Sequence, residues 1–420
     1  MRALFVSPHF PDDFSKQTYG VFKRLDLFVS AISSMCSGLD MLFYTPTDYE
    51  ISDEKTLLLQ EAYSARWGIE IKLYLCAVNS ATHAPSAIGY YIRPIFDVRW
   101  QRSYSLASGP AQIRAFEMLL ERKHDYIFIH RLYGMMPVLL TRMPTAPVFL
   151  DLDEIEHRWF YDNISRPPQW PTKKLLYFQI PVLYLTERAA VKRARRTFLC
   201  SKADRDYIAA RWHSSNITQV QNALAVPPME PLTTAKTLLF IGSFGYRPNV
   251  LAASELIEDI WPEILAQVPD AKLVIAGERP GNIPAYESQP ANVVFTGFAT
   301  DIDELYRGIR CVVCPIRSGG GTRLKVIEGA LRGKAIICTT IGAEGLDLQD
   351  GTHLLVRDEK ADFVAACVSM LNDHREASRL GLNARTRGIN LYDKEKIAQD
   401  ICRQITSDLQ DNAELASSVT

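Results

Sequence analysis

The stretch Ser318-Gly-Gly-Gly-Thr-Arg-Leu-Lys-Val-Ile-Glu328 follows the apolar run Cys311-Val-Val-Cys-Pro-Ile316 and precedes Gly333-Lys-Ala-Ile-Ile-Cys338. It reads as buried strand, glycine loop, helix and strand, with the helix predicted from near Thr322 to Gly333. Gly319, Gly320 and Gly321 let backbone amides turn toward an anion without Cβ obstruction. The helix start adds unpaired N–H groups and partial positive charge. Arg323 and Lys325 fall in the predicted first turn, where cations oppose the helix dipole, so a bound anion is expected to offset them. Glu328 lies roughly 4.5 Å further along the axis, at about 1.5 Å per residue. One short element is therefore expected to hold a diphosphate at its tip and to accept a sugar hydroxyl one turn deeper.

Working outward, strands alternate with helices along the whole chain. Strands are predicted at 2–7, 41–44, 69–76, 125–130, 146–151 and 197–201, with a helix at 21–32. Ala225-Val-Pro-Pro-Met-Glu-Pro231, with three prolines, reads as a linker. The pattern then restarts, with strands at 237–242, 272–277, 293–297 and 353–357 around the glycine-loop unit and helices at 251–267, 301–308, 361–372, 374–386 and 393–410. The α/β alternation predicts two Rossmann-like domains whose mostly parallel, doubly wound sheets face each other across a cleft. The expected divisions are 1–225, 226–392 and a C-terminal helix with a frayed tail, 393–420, packing back toward the first domain. Neither a G-x-G-x-x-G turn nor a Walker sequence is present, which weighs against a dehydrogenase or a P-loop enzyme.

Composition agrees with a globular protein. Of 420 residues, 47% are hydrophobic and 23% charged, and the net charge of −1 argues against a nucleic-acid partner. The apolar run at the N-terminus is too short for a signal peptide and no membrane-spanning run occurs, so a cytoplasmic location is expected. Cys311 and Cys314 form a lone C-x-x-C, read as buried structural thiols rather than a zinc or redox site.

In the second half, Phe240-Ile-Gly-Ser-Phe-Gly-Tyr-Arg-Pro-Asn249, Ile260-Trp-Pro262, Leu273-Val-Ile-Ala-Gly277, Phe295-Thr-Gly297, the 319–328 loop and Gly342-Ala-Glu-Gly345 together resemble the family 4 glycosyltransferases of the GT-B fold. They are most similar to a bacterial branch with a G-G-T-R-x-K-x-x-E donor loop. The resemblance runs over 236–395 and is looser in the first half. It implies a retaining, metal-independent transfer from a UDP- or GDP-sugar to a hydroxyl of a glycan or lipid-linked acceptor in bacterial surface-polysaccharide or glycoconjugate assembly. Glu328 matches the second glutamate of the family's E-x7-E motif, the ribose holder, while Gly320 stands where the first glutamate falls. The resemblance places Gly242 and Ser243 where the family grips the diphosphate with an arginine and a lysine, which Arg323 and Lys325 would replace. Phe298 falls where the base is read, and Asp153 where the family carries a histidine at the reacting centre.

Several positions keep two readings. Gly20 approaches the donor or is an ordinary loop glycine. His130 contacts the acceptor or is a satisfied strand end. Thr322 joins the donor loop through its amide. Glu344 lines the donor pocket or serves only its turn. Asp151-Leu-Asp153-Glu154 offers a D-x-D, but no metal or other cofactor is expected, and the segment reads as acceptor positioning or a helix cap. Residues 172–196 interleave Lys173, Lys174, Arg188, Lys192, Arg193, Arg195 and Arg196 with aromatic and apolar residues. They read as a peripheral contact with the inner face of the membrane or as a helix with a solvated basic end, and Pro181 is expected to break it. A non-catalytic sugar-nucleotide-binding protein or a GT-B epimerase or hydrolase are the alternatives to a transferase.

Overall fold

The computed structural model describes all residues except 15–19, 79–86, 230–232, 320 and 419–420, and the side chains at 87–88 and 412–418 are also outside the description. The chain divides into two compact units, Met1–Val220 with Lys396–Thr420, and Gln221–Glu395.

The first unit is built on seven strands, β1 (Arg2–Ser7), β2 (Gly38–Thr45), β3 (Ile71–Ala77), β4 (Tyr126–His130), β5 (Val148–Asp153), β6 (Arg196–Leu199) and β7 (Ile217–Gln219). Their order is β3-β2-β1-β4-β5-β6-β7, and every pairing is parallel. The strands β1, β2, β4 and β5 are buried along their length or nearly so, as expected of a sheet covered on both faces. The order reverses between β1 and β4, the place where open parallel sheets gather functional groups at their carboxyl ends. Ser7 and His130 end those two strands.

The second unit repeats the plan with β8 (Thr237–Ile241), β9 (Lys272–Ala276), β10 (Val293–Gly297), β11 (Cys311–Cys314), β12 (Ala335–Cys338) and β13 (Leu355–Val356). The order is β10-β9-β8-β11-β12-β13, all parallel. Its reversal falls between β8 and β11. Leu238, Phe240, Val312, Ile336 and Trp261 belong to one continuous buried cluster that fixes these two strands. The Trp261 indole is held by donating to the Ala291 carbonyl at 2.9 Å.

The structure departs from the sequence reading in several places. The short strand β7 has no apolar run to announce it. β5 runs to Asp153 rather than ending at 151. The helix expected at 251–267 begins at Arg247 and contains a π-helical turn, Leu256–Ile260. The 172–196 segment is not one continuous α-helix, and the change of conformation falls next to Pro181. A 3₁₀ stretch, Pro171–Gln179, hands over to the helix Ile180–Arg193, and Pro181 sits in that helix's first turn, where its missing N–H costs nothing. The unit boundary lies at Val220, ahead of the proline-rich segment. Leu224 donates to the Tyr392 carbonyl and accepts from Lys394, both at 3.0 Å, which ties that segment to the second unit. Cys311 and Cys314 are buried free thiols on β11.

Candidate functional site

In the second unit, the glycine loop leaves the carboxyl end of β11 and leads into the helix Leu324–Leu331. Gly319 and Gly321 have φ of 114° and 70°, values that glycine adopts readily and that residues with side chains adopt rarely. A Cβ at Gly319 would meet the Tyr246 hydroxyl at 2.6 Å. Gly320 lies outside the described residues. The helix opens later than expected, so Arg323 is its N-cap residue, in extended conformation, rather than a first-turn residue. Its guanidinium folds back and donates to the carbonyls of Gly321 at 2.5 Å and Gly319 at 2.8 Å. Only 7% of Arg323 is exposed. The fork, bonded to its own loop, braces the loop's shape from the N-cap position rather than from the first turn.

The Lys325 side chain is largely enclosed at the strand ends. Its ammonium donates to Asn249 Oδ1 at 2.9 Å and lies 4.1 Å from the centre of the Phe240 ring. Burial pulls its pKa down to about 8, with Arg323 adding to the effect and the Cys314 sulfur opposing it. Asn249 is itself anchored, its amide donating to the Ser243 carbonyl at 2.9 Å, while Ser243 Oγ donates to Glu278 at 2.7 Å. Gly242 leaves the space these groups fill. A Cβ there would lie 2.7 Å from Asn249 Nδ2 and 3.0 Å from Lys325 Nζ. Thr322 Oγ1 accepts from Asn222 at 2.8 Å. Glu328 sits one turn beyond Lys325 with its carboxylate 4.0 Å from Arg332 Nε. Phe298 is half-buried just after Gly297, whose φ of 66° turns the chain away from β10. Glu344 is exposed in a turn, and its amide donates to the Ile341 carbonyl at 3.3 Å. The loop, Gly242, Ser243 and Lys325 therefore converge at the β8–β11 reversal, with Glu328 one turn further along the helix and facing Arg332. Sequence reasoning missed Asn249 as a site residue, because its position directly after the Arg247-Pro248 dipeptide reads as ordinary helix start.

In the first unit, the predicted residues fall into a buried charge network. Asp151 receives Arg24 through Nε at 2.9 Å and a terminal nitrogen at 2.7 Å. Asp153 sits 3.1 Å from Arg24 Nε and 2.9 Å from an Arg131 terminal nitrogen. Arg131 and Asp153 both hold positive φ, 70° and 64°, which turns their side chains toward each other. Burial pushes Asp151 upward by more than Arg24 pulls it down. For Asp153 burial also pushes upward, but Arg131 and Arg24 together hold it below the usual carboxylate value. With two guanidinium groups already placed, the D-x-D does not present free carboxylates to a cation. Among the described residues no group of three or more His, Cys, Asp or Glu could hold a metal ion.

His130 is wholly buried. Its Nδ1 lies 2.9 Å from Ser7 Oγ and its Nε2 3.8 Å from Asp151. Burial, then Arg131, His9 and Arg24, keep its pKa well below the usual value, so it is neutral at pH 7. Its Nε2 is buried without a hydrogen-bond partner among the described residues, so the side chain is enclosed but not a fully satisfied strand end. Gly20 is exposed and opens the helix Gly20–Met35, which carries Arg24 inward. Sequence reasoning also missed Arg24 and a second buried set. His157 Nδ1 pairs with Glu187, and its Nε2 lies 3.1 Å from the Tyr207 hydroxyl. Glu156 stands next to it, and burial with Glu154 close by raises its pKa to about 8.

Residues 235–373 match the family model of glycosyl transferases group 1, so the second unit carries a domain of that group. A Klebsiella pneumoniae protein described as an uncharacterized 44.6 kDa protein in the cps region is 21% identical over 341 residues, covering 75% of this chain and 84% of that protein. Among solved structures, sucrose-phosphate synthase from Thermosynechococcus elongatus superposes with a TM-score of 0.69 at 14% identity, covering 97% of this chain and 98% of its own. Anabaena HepE in complex with UDP and glucose gives 0.62 at 13%, covering 96% and 99%. A variant of S. aureus TarM in complex with fondaparinux, α-GlcNAc-glycerol and UDP gives 0.66 at 12%, covering 95% and 98%. The chain thus has the α/β fold of GT-B glycosyltransferases, with two Rossmann-like units of parallel strands.

Proposed function

We propose that this protein is a retaining, metal-independent glycosyltransferase that moves a sugar from a UDP- or GDP-sugar to a hydroxyl of a glycan or lipid-linked acceptor in the assembly of a bacterial surface polysaccharide. The observation that carries the reading is the Lys325 ammonium, held by Asn249 over Phe240 in the space left by Gly242, within the group 1 domain. HepE and TarM were crystallised with UDP, and the Klebsiella relative belongs to a cps region; both support this substrate class and this setting.

As the donor's sugar–phosphate bond breaks, the leaving diphosphate gathers negative charge. Lys325 supplies a fixed cation for that charge, and the amides of Gly319, Gly321 and Thr322 supply hydrogen bonds. Fixed donors of this kind are the largest catalytic lever such a site has. Arg323 keeps the loop's carbonyls turned away from the anion by bonding them itself. Glu328 takes the ribose hydroxyls. In the first unit Asp153, held by Arg24 and Arg131, is the group assigned to the acceptor side.

The test is nucleotide release from UDP- and GDP-sugars, with and without an acceptor extract, with the anomeric configuration of the product read by NMR. Release that requires acceptor, with retention, is expected. Acceptor-independent release marks a hydrolase, and binding without release marks a non-catalytic protein. EDTA is expected to leave the rate unchanged; a loss restored by Mg²⁺ would return Asp151 and Asp153 to a metal role.

A further inference from the structure

The basic segment 172–196 is less available than its composition implies. Lys173 is buried, donating to the carbonyls of Arg166 and Pro168, with the latter at 2.9 Å. Arg193 donates to the Val138 carbonyl, and Arg196 pairs with Asp408. Of its cations, Lys174, Arg188 and Lys192 are exposed.

A different surface gathers around its first turn. The helix Ala87–Phe96 packs against the Pro171–Gln179 stretch and against the 3₁₀ turn that follows it, Val98–Trp100. Gln179 donates to the Tyr91 carbonyl at 3.0 Å, and the Trp170 indole donates to the Tyr91 hydroxyl at 3.2 Å. These bonds join two distant segments into one piece. On it, Tyr90, Ile92, Phe96, Trp100, Trp170 and Phe178 all stand exposed, with Phe96 at 82% and Phe178 at 61%. Largely exposed phenylalanines on the same segments as two exposed tryptophans are a costly arrangement for a surface that faces only water. Arg93 lies 4.4 Å from the Trp100 ring centre. Arg99, Arg102 and Lys174 are exposed on the same segments. Asp97 is the one acidic residue in 87–102, and Arg99 pairs with it at 2.6 Å; 170–178 has none.

We propose that this aromatic patch, formed by residues 89–102 with 170–178, docks on an anionic lipid surface. Charge complementarity selects that occupant. Indole and phenol rings favour the headgroup boundary, phenylalanine and isoleucine enter the acyl region, and the cations meet anionic headgroups. Against a second copy of the chain, a two-fold contact would set the same cations facing each other. The proposal stands on this surface and not on the transferase reading, so it is tested without donor or acceptor.

Flotation of the full chain with vesicles of phosphatidylcholine, alone or mixed with phosphatidylglycerol, reads the partition directly. Binding to the mixed vesicles that weakens with salt is expected. Phe96→Ser with Phe178→Ser is expected to lower the partition about tenfold or more, with little change in the circular-dichroism melt because both side chains are mostly exposed. Arg93→Glu with Lys174→Glu is expected to remove the preference for phosphatidylglycerol. Equal binding by the Ser variant, equal binding to neutral and anionic vesicles, or no vesicle binding with concentration-dependent dimers in sedimentation would each overturn the proposal.

Discussion

At the scale of single residues, the site turns on cations whose charge the fold makes costly. Lys325 has a folded-state pKa near 8, below its ordinary value of 10.5, because burial disfavours the ammonium. Its charged form is therefore penalised in the folded state, and its contribution to stability improves as pH rises from 8 toward 10.5. Catalysis needs the charged form, so activity should move the other way. kcat/KM is expected to fall above about pH 8, and Lys325→Arg, which stays charged, should abolish that alkaline limb while lowering the rate. Lys325→Met should cost about 100-fold in kcat at neutral pH. Initial-rate profiles on the three proteins check this, and an alkaline limb that survives in the Arg variant excludes Lys325 as its source. Arg24 shows the other side of buried charge. Removing it strands Asp151 and leaves Asp153 on Arg131 alone, so Arg24→Leu should destabilise by about 3–5 kcal/mol in urea titration. Adding Asp151→Leu should recover part of that loss, because the stranded carboxylate goes with it.

At the scale of elements, the two units use their strand ends in different ways. The ends of β8 and β9 touch through bare backbone. A Cβ at Gly277, where φ is 143°, would stand 1.8 Å from the Gly242 carbonyl oxygen. Gly277→Ala should therefore cost about 3 kcal/mol or more and separate the two strand ends. At Gly242 the φ is ordinary and the neighbours are side-chain ends, so Gly242→Ala should fold but displace Asn249 and the ammonium, with a loss in kcat larger than its change in melting point. Melts and kinetics on the pair separate the two roles. The glycine loop and the strands around it were legible because apolar runs bounded by glycine and proline carry their own signal. Arg323 was expected in the first turn and is the N-cap residue, a difference of one residue, because periodicity does not resolve helix ends that finely. Asn249, Arg24 and the His157–Glu187 pair were invisible because their partners lie far along the chain. In the basic segment 172–196 composition located the cations, and only the fold revealed that Arg193 and Arg196 are engaged internally, with Val138 and Asp408.

At the scale of the whole molecule, the restart of the strand–helix pattern at 237 predicted two parallel sheets, and both are present with the same reversal of order. If the nucleotide's diphosphate is recognised by Lys325 and the glycine loop, its binding energy belongs to the unit Gln221–Glu395. A ligand at about 100 times its Kd stabilises the state it binds by about 2.7 kcal/mol, which for a unit of this size raises the melting temperature by about 5–10 °C. In calorimetry, UDP or GDP should thus shift the transition of the second unit, while uridine or guanosine, lacking the diphosphate, should shift it little. Lys325→Met should erase most of the difference between nucleotide and nucleoside and leave the protein's unliganded melt nearly in place. The contrast isolates the diphosphate, because base and ribose are common to both ligands. A nucleoside that stabilises as much as its diphosphate, or a Met variant with an undiminished UDP shift, would remove the ammonium from the donor site even if transfer activity were found.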